Sequence, residues 1–199
     1  SYPTEAVGML ERVALETEAY LDYQDLAADP TRAGGVDVTG AVSRAACRLA
    51  VQNDVAIGAQ VSFPDLPGFG RRHLDMAPDE LRDAVLYQLG ALDAFAQVAG
   101  AEIAYVKPHG ALYHSTATHP AAARALVEAA AEFDPSLAIL GLPGSELLAA
   151  AEATGLEGVP EAFADRAYRP DGGLVSRREP NSVLTDPDEV AERAVRLAT

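Results

Sequence analysis

Strand and helix begin to alternate at Val55-Ala56-Ile57-Gly58-Ala59-Gln60-Val61, a short apolar run that is typical of a buried parallel strand. A loop that contains Pro and Gly follows over residues 62–76. Pro78 is a favourable first helical residue, and apolar residues keep helical spacing from there to Gly100, a natural stop. This stretch therefore predicts one strand–loop–helix unit.

The same unit is repeated along the rest of the chain. We predict further strands at 102–107, 137–142 and 161–163, and further helices at 3–27, 40–53, 120–133, 145–154 and 186–197. Alternating strands and helices with short links indicate the α/β class with a mainly parallel sheet. Because no linker, internal repeat or low-complexity segment is visible, we expect a single domain over residues 1–199.

The composition limits the class of function. The formal net charge of −15 argues against binding to nucleic acid or to an anionic membrane surface, and no apolar run approaches the length of a membrane span. A small anionic substrate would need a local cluster of Arg and Lys. A single cysteine, Cys47, excludes an internal disulfide, and residues 1–25 lack a signal-peptide pattern. We therefore expect a cytoplasmic protein.

Lys107 is the only lysine of the chain, and it follows the predicted strand Ile103-Ala104-Tyr105-Val106. In a chain that otherwise uses Arg, a position that is still Lys favours a compact ammonium group over a planar guanidinium. His109 lies two residues further on and supplies an acid–base partner. A surface Lys at a strand end is the simpler interpretation, but the combination favours a functional site.

The unusual motifs of the chain all fall directly after predicted strands. The carboxyl ends of parallel strands share one rim, and active sites of such proteins are built there. An enzyme-type site is therefore favoured over a purely structural domain. The segments concerned are 62–72, 107–110, 143–146 and 164–180.

Several polar side chains in these loops have two interpretations. The pairs Arg71-Arg72 and Arg177-Arg178 suit a carboxylate or phosphate ligand, but they are equally typical of solvated pairs on an acidic protein. Asp65 and Asp165 suit catalytic carboxylates, although a loop Asp is more often a turn or cap residue. The residues alone leave these alternatives open.

Other motifs favour a structural role. Gly68 and Gly70 flank Phe69 without the third glycine of a dinucleotide fingerprint, which indicates a tight turn. Ser145 stands at a predicted helix start and is interpreted as an N-cap. Three histidines recur every five residues, a spacing that does not match the i, i+4 pairing of a helical metal site: His109, His114 and His119.

In these loops the sequence resembles the LamB/YcsF family, which is understood as the A subunit of 5-oxoprolinase. The matching motifs are 55–59, 62–65, 68–72, 87–88, 90–92, 106–113, 144–146, 163–168, 170–172, 174–175, Arg177 and 179–180. They lie in unbroken order over roughly residues 45–198. The resemblance implies a (β/α) barrel-like fold related to the glycoside hydrolase and deacetylase barrels, whether complete or incomplete, with 1–39 as a divergent amino-terminal segment.

The family also implies an activity, which is ATP-dependent opening of the lactam 5-oxoproline (pyroglutamate) to L-glutamate together with subunits B and C. ATP with Mg²⁺ is the implied cofactor, no tightly bound transition metal is expected, and self-association into an oligomer is compatible with this function. The expected catalytic residues are Asp65, Lys107, His109 and Asp165. The expected substrate-binding residues are Arg71, Arg72, Tyr113, Arg166, Tyr168 and Arg177.

Two departures from the family pattern leave other functions open. The family's opening motifs are not found in residues 1–39, and Gln60 stands where the family has a His. The alternatives are a non-catalytic or altered-specificity paralogue with a binding or scaffold role, and a metal-dependent hydrolase of the deacetylase type. No His precedes His73, which counts against the metal-dependent alternative. We expect five side chains to converge on one pocket: Asp65, Arg71, Lys107, His109 and Asp165.

Overall fold

The computed structural model describes residues 38–177 and 179–197, with side chains from Ser43 onward. Its helices are α1 Val38–Gln52, α2 Pro78–Ala99, α3 Gly110–Thr118, α4 Pro120–Phe133, α5 Glu146–Thr154 and α6 Pro187–Leu197, with a 3₁₀ turn at Leu66–Gly68. Its strands are β1 Ile57–Ala59, β2 Ile103–Val106, β3 Ala138–Gly141 and β4 Glu157–Pro160. The predicted helix over 3–27 lies outside the described residues.

The four strands form one sheet in the order β1-β2-β3-β4, so that neighbours in sequence are also neighbours in space. The pairs β2–β3 and β3–β4 are parallel, with Tyr105 opposite Ala138 and Ala138 opposite Glu157. A strand order without reversal is that of a β/α barrel, whereas a doubly wound sheet reverses its order. The predicted α/β class and barrel-like arrangement are confirmed.

Two elements differ from the sequence prediction. The last strand is Glu157–Pro160, so the prediction of a strand at 161–163 is wrong. Helix α5 ends at Gly155, which has the left-handed conformation, and β4 begins two residues later. Within β4 only Val159 is partly buried, and the other three residues are exposed. Such an edge strand has no apolar run that reveals it. The sequence prediction also lacks helix α3, because the polar residues of this helix resemble a continuation of the loop after Lys107.

The chain divides into two compact units. The described residues of the smaller unit are 38–58 and 90–104, in which Cys47 and Ala96 are buried and Arg44 lies over the ring of Phe95. The larger unit comprises 59–89 and 105 onward and holds all the site residues. The expectation of a single domain over 1–199 stays a prediction.

In the larger unit, α5 packs against β3, β4, α3 and α4. The side chains between these elements are fully buried, and the largest of them are Val106, Leu112, Leu126, Val127, Ile139 and Leu147. Gly141 allows α5 to approach closely, because a Cβ atom at Gly141 would lie 3.1 Å from Leu147. The helices therefore cover one face of β3 tightly. None of the helices in the described part of the chain is long and apolar enough to cross a membrane.

Candidate functional site

The ladder between β1 and β2 continues past the ends of both strands. The N–H of Lys107 donates to the carbonyl of Ala59 at 2.9 Å, and the N–H of His109 donates to the carbonyl of Val61 at 2.8 Å. In a parallel ladder this pattern sets Gln60 opposite Lys107, on the same face of the sheet. The backbone pairing therefore fixes the position of Lys107 at the rim of the sheet.

The ammonium group of Lys107 forms an ion pair with Glu161, with 2.6 Å between Nζ and Oε2. Glu161 directly follows β4, and its N–H donates to the carbonyl of Gly141 at 2.9 Å. The ammonium also lies 5.3 Å from the centre of the Phe163 ring. The side chains of Lys107 and Glu161 are only 25% and 15% exposed. Lys107 is thus partly buried and held by Glu161 rather than directed into bulk solvent.

Tyr113 of α3 completes this arrangement. Its ring meets that of Phe163 edge to face at 6.0 Å, and it packs against Leu142 and Leu174. Tyr168 lies in the same group, because its hydroxyl accepts the N–H of Phe163 at 2.6 Å. We call five residues the Lys107 cluster: Lys107, Tyr113, Glu161, Phe163 and Tyr168.

Two buried polar atoms of the Lys107 cluster have no well-formed hydrogen bond within the described residues. They are the hydroxyl oxygen of Tyr113 and Oε1 of Glu161. Burial, followed by the nearby carboxylate of Glu161, raises the pKa of Tyr113, so its hydroxyl stays protonated. A side-chain contact with Glu161 contributes to the same shift, so the two groups are neighbours, but neither buried atom forms a hydrogen bond of good geometry among the described residues. Buried polar groups are normally paired, so these two atoms require a partner such as water, an ion or a bound ligand.

Asp65 is fully engaged within its own loop. Its carboxylate accepts the N–H of Gly68 at 3.1 Å and thereby caps the 3₁₀ turn. Nε of Arg72 donates to the two carboxylate oxygens at 3.1 and 3.0 Å, and Nη2 of Arg72 pairs with Oδ1. The bond with Arg72, more than any other contact, lowers the pKa of Asp65. This geometry favours a role in holding the loop, and it occupies Arg72 as well.

Two glycines join this loop to the segment after β2. The N–H of Ala111 donates to the carbonyl of Gly70 at 2.9 Å. Gly110 has a φ of +60°, and a Cβ atom there would lie 2.5 Å from the same carbonyl oxygen. Only glycine fits this position. The tight turn predicted at Gly68 and Gly70 is confirmed, with Gly70 at a φ of +66°.

His109 packs edge to face against Phe69, with 5.0 Å between the ring centres, and its Nε2 donates to the Phe69 carbonyl at 3.0 Å. Because a carbonyl can only accept, the proton lies on Nε2 and Nδ1 is the basic nitrogen. Burial, and to a smaller extent the positive charges of Arg71 and Lys107, lower the pKa of His109. A neutral imidazole at pH 7 can take up a proton.

Positive charge also gathers around His114. Partial desolvation of the ring, followed by the charges of Arg166, Arg169 and Arg177, lowers the pKa of His114, although the residue as a whole is exposed. Arg166 is buried and donates to two backbone carbonyls at 3.3 and 2.6 Å, so it holds the backbone of the 166–182 segment. Arg169 pairs with Asp171 at 3.4 Å. Arg177 is exposed and suits an anion, whereas Arg178 lies outside the described residues.

The predicted site residues are therefore only partly brought together. Lys107, His109 and Arg71 lie close enough for their charges to interact, while Asp65 faces Arg72. No hydrogen bond or ion pair among the described residues joins the Asp165 side chain to Lys107 or His109. The sequence analysis did not include Glu161 among the candidate site residues. Only its position directly after a strand could have pointed to it.

Potential metal ligands are scattered in the part of the chain that the structure describes. No group of three His, Cys, Asp or Glu side chains within these residues could hold a metal ion. The expected absence of a tightly bound transition metal stays a prediction. The prediction of Ser145 as an N-cap is confirmed, since its hydroxyl accepts the N–H of Leu148 at 3.3 Å.

Fold and site together define a barrel-like β/α protein that carries a partly buried Lys–Glu pair at the carboxyl rim of its sheet, next to two buried polar atoms without a well-formed hydrogen bond among the described residues. The LamB/YcsF family matches residues 35–199, and the chain belongs to this family.

Proteins similar to this chain include two that are named as the A subunit of 5-oxoprolinase. The one from Mycobacterium avium (strain 104) is 56% identical over 151 residues, which are 76% of this chain and 60% of that protein. The one from Kocuria rhizophila is 57% identical over 152 residues, again 76% of this chain and 60% of that protein. The chain thus spans about 60% of the length of these relatives.

A solved structure agrees with the fold. The crystal structure of the lactam utilization protein from Thermus thermophilus is similar to this chain with a TM-score of 0.76 and 45% sequence identity. The match covers 79% of this chain and 64% of that one.

Proposed function

We propose that this chain carries a substrate site of an ATP-dependent lactam hydrolase, which opens 5-oxoproline to L-glutamate in the cytoplasm together with subunits of the B and C type. The relatives named for 5-oxoprolinase support the reaction. The observation that carries the proposal is the Lys107–Glu161 pair at 2.6 Å, next to a Tyr113 hydroxyl that has no well-formed hydrogen bond among the described residues. A charged pair with unpaired buried neighbours is suited to a small polar ligand.

The reaction determines which groups are needed. An amide carbonyl is a poor electrophile because the nitrogen lone pair is delocalised into it. ATP would supply a phosphoryl group for the carbonyl oxygen and leave as ADP. Water would then add to the carbonyl carbon, the C–N bond would break with a proton delivered to nitrogen, and the phosphoryl group would be released as phosphate. The site must therefore hold negative charge, take a proton from water and deliver a proton to nitrogen.

The described residues suit these tasks. Lys107 can stabilise negative charge that develops on the carbonyl oxygen, because it lies in a partly buried site where charge interactions are strong. His109 is neutral, and its Nδ1 can take the proton from water. Asp65 and Asp165 remain candidates by resemblance, but an Asp65 carboxylate bound to Arg72 is a weaker base than His109.

Arginines suit the anionic parts of the reactants. Arg71 lies over the Phe69 ring at 5.3 Å, beside His109, and Arg177 adds to the positive charge around His114. Guanidinium groups bind carboxylates and phosphates through paired hydrogen bonds. Mg²⁺ that enters with ATP is held largely by the phosphates and by water, so this chain need not supply an acidic cluster for it.

The test is release of glutamate and phosphate from 5-oxoproline and ATP by the purified chain, with and without subunits B and C. The full-length Mycobacterium avium relative, assayed with the same two subunits, is the positive control. We expect turnover only when the chain and both subunits are present. A chain that binds B and C but supports no turnover would establish the scaffold alternative.

A further inference from the structure

We infer that Tyr113 and Glu161 recognise the amide edge of a cyclic amide, with the Tyr113 hydroxyl donating to the carbonyl oxygen and Oε1 of Glu161 accepting the ring N–H. This inference deepens the proposed function and rests on it. It assigns a specificity role to two residues of the Lys107 cluster.

The two atoms are fixed by their surroundings. Oε2 of Glu161 pairs with the ammonium group of Lys107 at 2.6 Å, and Oε1 has no well-formed hydrogen bond among the described residues. Because rotation of the carboxylate would break the ion pair, the position of Oε1 is fixed. Tyr113 is 7% exposed and is held by Phe163 and Leu142. The donor and the acceptor both lie near the Phe163 ring, because the Tyr113 ring meets that ring at 6.0 Å and Lys107, the partner of Glu161, lies 5.3 Å from it.

The hydrogen-bonding chemistry of the two groups differs. A carboxylate only accepts hydrogen bonds, and a protonated tyrosine hydroxyl can donate one. A ligand that satisfies both must present an acceptor and a donor on the same side. The described residues offer neither atom a well-formed hydrogen bond.

A lactam presents that edge and an open-chain amide does not. Secondary amides are almost always trans, with N–H and C=O on opposite sides of the bond, and the cis form is costly. A five-membered ring forces the cis form, so the N–H and C=O of a lactam point the same way. A trans amide would leave either Tyr113 or Glu161 unpaired, and an unpaired buried group lowers affinity by about tenfold to a hundredfold.

The test is calorimetric binding to the purified chain, alone and with subunits B and C, using three related carboxylates. These are 5-oxoproline, its open-chain counterpart N-acetylalanine, and the lactone in which a ring oxygen replaces N–H. The variants are Tyr113→Phe and Glu161→Gln. Tyr87→Phe is the matched control, because Tyr87 is 78% exposed.

We expect wild-type protein to bind 5-oxoproline at least about tenfold more tightly than either analogue. Tyr113→Phe should weaken 5-oxoproline binding by about tenfold or more without lowering Tm, because the hydroxyl has no well-formed hydrogen bond in the described residues to lose. Glu161→Gln should reduce the preference for 5-oxoproline over the lactone by about tenfold, since a carboxamide can donate to the ring oxygen. Tyr87→Phe should change neither the affinity for 5-oxoproline nor the preference for it over the lactone.

Three outcomes would overturn the inference while leaving the proposed function standing. One is binding of 5-oxoproline that neither variant weakens. A second is equal affinity for 5-oxoproline and N-acetylalanine. The third is a Tyr113→Phe protein with lowered Tm and unchanged affinity, which would show a hydroxyl paired with Glu161 or with structural water. Failure of the wild-type chain to bind 5-oxoproline, even with B and C present, would overturn the proposed function and this inference together.

Discussion

Asp65 and Glu161 are carboxylates in rim loops of the same parallel sheet, and the protein uses them differently. The carboxylate of Asp65 accepts hydrogen bonds from Gly68 and Arg72, both of which belong to its own loop. Glu161 gives one oxygen to Lys107 and has no hydrogen bond to the other among the described residues. A satisfied carboxylate holds a loop, whereas a half-satisfied one is available to a ligand. The comparison separates a scaffold region, 62–72, from the Lys107 cluster.

The largest effect should come from removing the cation of the Lys107 cluster. Lys107→Ala should lower kcat/KM for 5-oxoproline by about 10²–10³, because negative charge on the carbonyl oxygen loses its counter-charge. Tm should fall by no more than a few degrees, since Lys107 contributes little core packing. Steady-state kinetics and thermal unfolding measure the two effects.

Lys107→Arg should not restore activity, because a planar guanidinium cannot take the place of a compact ammonium group. Arg82→Ala removes a cation from a more exposed pair with Glu132 at 4.0 Å and is the matched control. A fall in Tm that accounts for the whole activity loss of Lys107→Ala would assign Lys107 to the scaffold instead.

The free energy of unfolding should be most sensitive to an added methyl group at Gly110, where the segment after β2 contacts the scaffold region. Gly110→Ala should lower the free energy of unfolding by about 2–4 kcal/mol, because positive φ and a clash with the Gly70 carbonyl act together. Gly144→Ala should cost only about 1 kcal/mol, since Gly144 has a φ of +70° but nothing within 4 Å of its Cβ position. Urea unfolding compares the two, and equal losses would contradict a close contact at Gly110.

Exchanging each carboxylate for its amide tests the comparison directly. Asp65→Asn should lower Tm while changing kcat/KM of the folded protein only a few-fold, because it weakens the bonds to Arg72. Glu161→Gln should lower kcat/KM by about tenfold or more, and Tm should fall by a few degrees because the partly buried ammonium of Lys107 loses its counter-charge. If Asp65 is a catalytic base, as the family resemblance implies, Asp65→Asn will instead abolish turnover at unchanged Tm.

His109 should make the stability depend on pH in one direction. Burial lowers the pKa of His109 from its ordinary value of 6.5, so below about that pH the unfolded chain binds more protons than the folded one. The stability contributed by the neutral ring is complete above pH 6.5 and is lost as the pH falls toward the lower folded pKa. The free energy of unfolding of wild type should therefore fall more between about pH 7.5 and 5 than that of His109→Gln.

Denaturant unfolding at several pH values measures this difference. His119→Gln is the control, because His119 has no side-chain cap bond at the start of α4 and its ring is exposed. A wild-type profile parallel to that of His109→Gln would show that the ring is not held neutral.

The smallest effect should come from removing metal. After treatment with a strong chelator and return of magnesium, activity should be unchanged, because Gln60 is a weak ligand and the described side chains include no group of three metal ligands. Elemental analysis accompanies the assay. Stoichiometric zinc that is lost together with activity would contradict this prediction and favour the metal-dependent hydrolase.

The sequence predicted the scaffold region better than the Lys107 cluster. Apolar runs located β1, β2 and β3, and local chemistry located the Ser145 cap and the turn at Gly70, because these features depend on neighbouring residues. The prediction of a functional role for Lys107 came from its being the only lysine beside fourteen arginines, and it stays a prediction. These signals are local or compositional.

The partners of Lys107 depend on how distant segments are aligned. Glu161 lies 54 positions after Lys107, and the two meet because β4 pairs in register with β3, which pairs with β2. The strand that leads to Glu161 is short and largely exposed, and it lies at an edge of the sheet that the described residues form, so it left no apolar run. Likewise, the sequence alone could not show that Arg72 lies against Asp65 and occupies its carboxylate.

Because Lys107 is the only lysine, its Nζ is the only side-chain amine in the chain. Isotopic labelling with lysine therefore gives a single ammonium resonance, and that resonance reports on the Glu161 carboxylate 2.6 Å away. Acylating reagents that react with lysine have one side-chain target, so protection of that target measures occupancy of the rim without any substitution. The chain thus contains its own chemical label at the position where ligand binding is proposed.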